Sequence, residues 1–403
     1  MLIHLNGKEY NLRAGTVVAR SPLVEFPQNI RFDGLQKRKD RSLISSWAID
    51  RFSGGLGLKQ QNTEISSHDY RLWDAENVDT RFPDQIVLSP QFQTCTMVAS
   101  RGDLDLPFLH MGDLYFCETT GTNSVNAKAG NIYKFSIPLT IGSFRTLVAS
   151  YSLSLGSVNA IRAFGRKIAF TCHDGVGGDF FVLPDIGEVG TVWTTVATRS
   201  AQFAQIGDLG GTLHLLEFDR IAQRARFYLA DRDQSNFTGV ASIPGIQGSY
   251  LAPLEGDGLK MYALLPEGLY DFDNTPAIVV DNSRSQDKIM AMTMYKNEVY
   301  FKNKQSVIHY DGTDINSVGL DQEDGMPIDK TGNITAMCSS YLGIFAAVMG
   351  AGSNYILHYN GVWSYYAQIL TGGVRIRHMF LSDAPDGTDR LWCLSSNVIS
   401  GNK

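Results

Sequence analysis

The chain has 403 residues, of which 43% are hydrophobic and 19% are charged, and its formal net charge is −6 at pH 7. This composition excludes an intrinsically disordered chain, and the acidic balance gives no electrostatic basis for nucleic acid or an anionic membrane as the main partner. The longest apolar runs, such as residues 344–349, are too short to span a bilayer, so no membrane insertion is expected.

The first residues predict a β-hairpin at positions 2–12. Two short β-like runs lie on either side of Asn6-Gly7, a dipeptide typical of the two-residue type I′ turn. The same segment has neither the basic n-region nor the apolar h-region of a secretory signal, which predicts synthesis in the cytoplasm of the producing cell. Residues 14–46 contain no regular pattern and are expected to be irregular.

Residues 47–90 contain several short sequence segments in a distinctive order. A Gly-Gly-Leu-Gly phrase at residues 54–57 precedes a polar stretch rich in Tyr and Trp, and residues 80–88 then read Thr-Arg-Phe-Pro-Asp-Gln-Ile-Val-Leu ahead of a repetitive β region. The glycines do not form a nucleotide-binding loop, because Gly-Lys-Ser/Thr does not follow them. The phrasing resembles virion proteins of tailed bacteriophages, which implies a tail or virion-surface component and assigns no catalytic residue.

Residues 1–85 are predicted to form an arm that docks onto a neighbouring subunit. An extended arm is ordered at least cost when it wraps a partner. The interface candidates in this arm are its large apolar and aromatic side chains: Trp47, Phe52, Leu56, Tyr70, Trp73 and Phe82.

From about residue 101 a pattern of short β-strands repeats. The inner strand of each unit is predicted to begin near residues 109, 160, 204, 252, 291, 336 and 378. A second apolar strand follows in each unit and a third in most, with weaker fourth strands at residues 191–193, 278–280 and 364–366. A unit of four short antiparallel strands that recurs about every 40 to 50 residues is typical of the blades of a β-propeller.

The predicted fold is therefore all-β: a β-propeller of about seven four-stranded blades in residues 86–403, preceded by an irregular N-terminal arm with a β-hairpin. Radial packing buries both faces of each sheet, which explains why residues 344–348 are apolar without alternation. The seventh unit holds only two or three strands before Lys403. Strands within residues 86–98 are predicted to close it, and the alternative is that the polypeptide continues beyond Lys403.

Candidate chemistry in the sequence is sparse. The eight histidines form neither an HxH nor an HExxH motif, and His-Tyr-Asp-Gly at residues 309–312 returns as His-Tyr-Asn-Gly at 358–361. This recurrence predicts a structural role, in which a third strand ends in a turn. Asp231 and Asp233 begin like a calcium loop, but position six lacks glycine and Ser242 stands at position twelve, so they are weak metal candidates.

No catalytic residue, cofactor or bound metal is predicted. The sequence lacks the Gly-x-Ser-x-Gly elbow of hydrolases, and it also lacks WD40 and Kelch signatures. The cysteines lie at the ends of apolar strands without a CxxC motif, and they are expected to be buried thiols between blades: Cys95, Cys117, Cys172, Cys338 and Cys393.

These observations favour a non-enzymatic structural component of a phage particle, located on the tail or surface of the virion. The expected partners are other virion proteins, further copies of the chain within an assembly, and a host surface glycan. Two alternatives stay open: a carbohydrate-active propeller that binds or cleaves glycans as a glycosidase or lyase, and a cellular protein-interaction propeller. An enzyme should show clustered carboxylates in the central channel, whereas a lining of Ala, Met and Thr argues against one.

Overall fold

The computed structural model describes a series of β-strands and some of the tight turns between them. The described residues are 2–5, 8–13, 16–22, 44–49, 78–79, 87–90, 92–95, 102–110, 113–121, 128–135, 146–153, 157–164, 167–173, 178–183, 194–199, 203–219, 222–230, 237–244, 254–272, 277–281, 291–303, 306–320, 333–350, 353–369, 375–383, 389–395 and 398–402. The elements of these residues are β-strands, and none of them is a helix suited by length and hydropathy to crossing a membrane.

The N-terminal region contains an antiparallel sheet with the order β1-β2-β3-β4. Its strands are β1 (Leu2–Leu5), β2 (Lys8–Arg13), β3 (Thr16–Pro22) and β4 (Ile44–Ile49). In the first hairpin Leu5 is opposite Lys8, so Asn6 and Gly7 connect the strands. The expectation that residues 14–46 are irregular is wrong for β3 and for the start of β4. Thr16, Val17 and Val18 are β-branched and favour a strand that pairs with β2.

Short strands connect this region to the repeats. β5 (Val78–Asp79) and β6 (Val87–Leu88) form a two-stranded antiparallel sheet. β7 (Phe92–Cys95) follows, and it belongs to a sheet formed at the other end of the chain.

The remaining strands form successive four-stranded antiparallel sheets. In chain order they are β8 (Gly102–His110), β9 (Asp113–Gly121), β10 (Lys128–Phe135) and β11 (Thr146–Leu153); β12 (Ser157–Phe164), β13 (Lys167–His173), β14 (Gly178–Leu183) and β15 (Thr194–Arg199); β16 (Phe203–Leu209), β17 (Thr212–Asp219), β18 (Arg224–Ala230) and β19 (Phe237–Pro244); β20 (Leu254–Gly256), β21 (Met261–Leu265), β22 (Gly268–Asp271) and β23 (Ala277–Asp281); β24 (Met292–Tyr295), β25 (Glu298–Asn303), β26 (Ser306–Tyr310) and β27 (Ile315–Gly319); β28 (Asn333–Ser340), β29 (Gly343–Met349), β30 (Asn354–Tyr359) and β31 (Trp363–Ile369); and β32 (His378–Asp383), β33 (Asp389–Ser395) and β34 (Val398–Asn402), which β7 completes.

The first strands of these sheets surround a common axis. β8 contacts β12, β12 contacts β16, and the series runs through β20, β24, β28 and β32, which contacts β8 again. The last sheet has the order β32-β33-β34-β7, in which Ile399 is opposite Cys95 and Asn402 is opposite Phe92. A closed ring of four-stranded antiparallel sheets is a β-propeller, which confirms the predicted fold class.

Successive residues of one strand enter the hydrophobic cores on opposite sides of a sheet. In β29, Ile344, Ala346 and Val348 belong to the core shared with β24–β27, whereas Phe345 and Ala347 belong to the core shared with β32–β34. None of the five is more than 2% exposed. Because both faces are covered, the strand needs apolar residues at every position, as the sequence predicts for residues 344–348.

A β-bulge recurs in the ladder between the third and fourth strands. Six sheets have one, and it falls at Ile132/Tyr133, Phe180/Phe181, Phe227/Tyr228, Leu269/Tyr270, Val307/Ile308 and Ile356/Leu357. A bulge adds one unpaired residue and increases the local right-handed twist of the strands. The recurrence shows that the sheets repeat a detail of backbone geometry that the residue types do not reveal.

Polar side chains also join neighbouring sheets. Between β24–β27 and β28–β31, the Ser339 hydroxyl donates to the Met294 carbonyl over 2.5 Å. The buried Lys302 ammonium donates to the Asn333 amide oxygen. These bonds satisfy polar groups inside the interface and fix the register of one sheet against the next.

Candidate functional site

The ring encloses a central channel with a cavity of about 670 Å³. The wall is formed by β8, β12, β16, β20, β24, β28, β32 and the segment that leads into β32. Much of it is small or flexible and apolar: Ala160, Ala291, Ala336, Met292, Met337 and Met379. Small residues suit the inner strands because these strands converge at the axis, although Ala160 and Ala336, predicted to begin their strands, lie within β12 and β28.

One ion pair spans the wall of this channel. Arg162 of β12 and Glu255 of β20 approach each other to 3.8 Å between Nη2 and Oε2. Glu255 is enclosed by the surrounding sheets, although 35% of its side chain faces the open space of the channel. This burial raises the pKa of the Glu255 carboxyl above its ordinary value, and the nearby Arg162 opposes the rise.

Two further arginines enter the cavity from the segment before β32. Arg375 and Arg377 both line it, while Ile376 between them is fully buried in the core that contains Met379 and Leu391. The alternation places both guanidinium groups on the channel side of the segment. The Arg377 amide donates to the Leu394 carbonyl over 2.8 Å, which ties the segment to β33.

The side chains that line the channel are better suited to binding a charged ligand than to catalysing hydrolysis. Among the described lining residues, Glu255 is the one carboxylate, whereas glycoside hydrolysis normally uses two carboxyl groups placed across the bond. In the described parts of the chain, no group of three or more His, Cys, Asp or Glu side chains is arranged to hold a metal ion. Guanidinium groups around an open cavity suit the binding of an anion.

The recurrent histidines lie within sheets and away from the described channel wall. His309 Nε2 is 2.8 Å from Glu298 Oε2, and the imidazole stacks on Tyr300 with ring centroids 4.6 Å apart. His358 is 5% exposed and its ring contacts Phe345, with centroids 4.8 Å apart. Both side chains pack between strands, which supports the structural role that their recurrence predicts.

The turns after these histidines are also structural. Asp311 accepts hydrogen bonds from the amides of Thr313 and Asp314 at 2.8 and 2.7 Å. These bonds, that of Asp314 first, lower the pKa of the Asp311 carboxyl below its ordinary value. Gly312 and Gly361 follow with φ of +99° and +84°, a region that glycine adopts readily.

The structure describes less of the surroundings of the other residues singled out in the sequence. Trp47 lies in β4, where the backbone alone is described. Seven further candidates lie outside the described residues: Phe52, Leu56, Tyr70, Trp73 and Phe82 for assembly contacts, and Asp231 with Asp233 as the weak metal pair.

Two cysteines have described surroundings. Cys393 is buried in the core between β28–β31 and β32–β34, and the half-buried Cys338 packs against the same core. Burial raises the pKa of both thiols, which favours their protonated form.

Arg162, Glu255, Arg375 and Arg377 were missed by sequence reasoning. Arg162 interrupts the apolar run Ala160-Ile161-Arg162-Ala163-Phe164, and Arg375 alternates with Arg377 around an isoleucine. An arginine within the apolar sequence of an inner strand is the signal that could have indicated the channel. The side chains of such a strand face either the neighbouring hydrophobic cores or the central axis.

Comparisons with known proteins establish the fold alone. No protein-family model and no curated protein matches the chain. Among solved structures, the WD40 β-propeller domain of Doa1 aligns with a TM-score of 0.51 at 10% identity, covering 78% of this chain and 97% of that one. The propeller domain of the Trilobed protease from Pyrococcus furiosus aligns with a TM-score of 0.48 at 11% identity, covering 73% of this chain and 94% of that one.

Proposed function

We propose that this protein is a non-enzymatic structural component of a phage particle, on the tail or the virion surface, which assembles with other virion proteins or adsorbs to a host. The observation that carries the non-enzymatic part is the channel. Ala, Met and Thr make up eight of its 22 described lining residues, and Glu255 is the one carboxylate among them. The phage part rests on the resemblance of residues 47–90 to virion proteins of tailed bacteriophages.

The proposal includes a propeller of seven blades. Seven four-stranded sheets between Phe92 and Asn402, and the contact of β32 with β8, support this number. The sheets β20–β23, β24–β27 and β28–β31 have a hydrophobic core on both faces, so none of these three is able to move without opening two interfaces. A rigid ring is a good platform for binding through its connecting loops.

In this proposal residues 1–85 dock the propeller onto its neighbours in the particle. The aromatic residues Trp47, Trp73 and Phe82 are the contacts on which assembly depends most, since buried aromatic side chains dominate interface energies. The partners are other virion proteins and further copies of the chain, and the loops of the propeller contact a host surface glycan.

Quantitative mass spectrometry of purified particles tests this proposal. The chain is expected at a fixed stoichiometry, and Trp73→Ala is expected to reduce its incorporation about tenfold or more, as loss of an aromatic anchor does. Leu259→Ala is the matched control, because Leu259 is 88% exposed on the propeller surface and outside the docking arm. Finding the chain only as a free monomer would contradict the proposal.

A carbohydrate-active propeller is the second candidate, and the raised pKa of Glu255 is the observation that favours it. A carboxyl that stays protonated to higher pH is suited to act as a general acid. Glycan cleavage by the full chain that Glu255→Gln abolishes would establish this candidate in place of the first. A cellular protein-interaction propeller, the third candidate, predicts a stable monomer that needs no particle.

A further inference from the structure

The described wall of the channel carries a surplus of positive charge. Arg162, Arg375 and Arg377 line the cavity together with the single carboxylate of Glu255. The chain as a whole is acidic, with a formal net charge of −6. Because desolvating positive charge is costly, guanidinium groups gathered around a cavity in an acidic protein point to an anion that enters it.

The backbone fixes the direction of two of these arginines. Ile376 is anchored in the hydrophobic core, so Arg375 and Arg377 on either side of it face the channel. The hydrogen bond from the Arg377 amide to the Leu394 carbonyl holds the segment against its own sheet. Two planar guanidinium forks from one anchored segment are suited to a carboxylate or a phosphate group.

The cavity is too large for an inorganic ion alone. Its volume of about 670 Å³ lies in the range of small-molecule sites. Phe108, Met292 and Phe380 add apolar surface to the same wall. Such surface packs against the carbon skeleton of an organic ligand, so the ligand should combine an anionic group with an organic body.

We propose that the central channel binds a small organic anion of monosaccharide size, whose carboxylate or phosphate group pairs with Arg375 and Arg377. Glu255 lies in β20, three places from β32 around the ring and therefore across the channel. Its carboxylate repels the anionic end of the ligand and accepts hydrogen bonds from hydroxyl groups at the other end. Arg162 holds Glu255 in place through their ion pair.

Isothermal titration calorimetry on the full chain tests this site with four probes: glucuronate, glucose 6-phosphate, inorganic phosphate and glucose. Binding of glucuronate or glucose 6-phosphate is expected. Comparing these two ligands shows whether a carboxylate or a phosphate group is preferred. Glucose lacks the anionic group and is expected to bind at least tenfold more weakly. Inorganic phosphate lacks the organic body and is also expected to bind more weakly than glucose 6-phosphate.

Arg375→Gln and Arg377→Gln are each expected to weaken binding of the preferred anion about ten- to hundredfold, the loss typical of a charge-assisted hydrogen bond. Arg224→Gln is the matched control, because Arg224 is exposed at the turn between β17 and β18 and its change removes the same charge outside the channel. An unchanged thermal midpoint in each variant shows that the fold is kept.

Binding of neither organic anion by the wild-type chain would overturn the inference, and so would binding of glucose as tight as that of the preferred anion. Equal losses in Arg224→Gln and Arg375→Gln would also overturn it, since the effect would then reflect net charge alone. Anion binding and incorporation into particles are measured separately, so failure of this site is distinguishable from failure of the proposed structural role.

Discussion

The sheets β24–β27 and β28–β31 are neighbouring copies of one repeat, yet their equivalent histidines have different surroundings. His309 is opposite Tyr300 and contacts Glu298, whereas His358 is opposite Phe345 and is buried. The repeat determines the strand and the register of the side chain. The residue opposite and the start of the second strand determine whether its surroundings are polar or apolar.

The start of the second strand differs most between the two sheets. Glu298 begins β25 after a turn in which Lys296 and Asn297 have φ of +54° and +63°. Gly343 begins β29 with φ of +147°, directly beside His358. In the first sheet the Glu298 carboxylate therefore contacts His309. In the second sheet Gly343 has no side chain and leaves space for His358.

Replacing Gly343 should produce the largest effect. A Cβ at this position would overlap the Tyr359 carbonyl oxygen and lie 2.7 Å from His358 Nε2. Because the nearest atom belongs to the backbone, Gly343→Ala is expected to lower the free energy of unfolding by about 3–5 kcal/mol, measured by urea denaturation. Gly361→Ala is the control: its φ is +84° with no atom within 4 Å, so about 1 kcal/mol is expected. Similar losses at the two sites would contradict this account.

Removing the two histidines should give unequal losses. His358→Ala leaves a cavity beside Phe345 in a buried interface and is expected to cost about 2–3 kcal/mol. His309→Ala removes a half-buried contact with Glu298 and is expected to cost about 1 kcal/mol. Thermal unfolding of the two variants measures the difference, and a larger loss for His309→Ala would reverse the comparison.

Tyr300→Phe makes one sheet resemble the other, because phenylalanine stands at the equivalent position 345. The Tyr300 hydroxyl donates to Glu298 Oε2 over 3.2 Å, so its removal is expected to cost about 0.5–1.5 kcal/mol. Burial, followed by the Glu298 charge, raises the pKa of Tyr300 above the ordinary 10.0. The stability difference from wild type should therefore stay constant up to about pH 10 and fall only at higher pH. A difference that disappears below pH 9 or so would contradict the raised pKa.

Asp311→Asn should have the smallest effect at neutral pH, since asparagine stands at the equivalent position 360. The pKa of Asp311 is lowered in the folded state by the amides of Asp314 and Thr313. Its contribution to stability is therefore present above the unfolded pKa near 3.8 and is lost as the pH falls through the folded value. Thermal midpoints of wild type and variant should converge at acidic pH. A gap that widens on acidification would contradict the lowered pKa.

The repeat allowed the fold to be predicted because each blade carries its own pattern. Apolar second strands such as Ile344 to Val348 recur at a regular spacing, and small residues such as Ala160, Ala291 and Ala336 mark the inner strands. The outer strands were harder, since they are partly solvated and less apolar. The fourth strand predicted at residues 191–193 lies instead at Thr194–Arg199.

The channel could not be predicted in the same way. Arg162, Glu255 and Arg377 are far apart in sequence and share no motif, so their meeting depends on closure of the ring. Periodicity shows that a strand is innermost without showing which of its side chains faces the axis. The functional residues of a repeat protein are often those that depart from the repeat, and a single sequence shows departures without showing which of them come together.

The pairing of β7 with β34 has a consequence for how the chain folds during synthesis. Ile399 and Cys95 are partners although roughly 300 residues separate them, a contact of very high sequence separation. The ring is unable to close until residues 398–402 have left the ribosome. Until then the edges and faces of β7 and of the first blade are not covered by their final partners. Uncovered strand edges are able to pair with other nascent chains. Once formed, the same pairing locks the first-made and last-made parts of the propeller together.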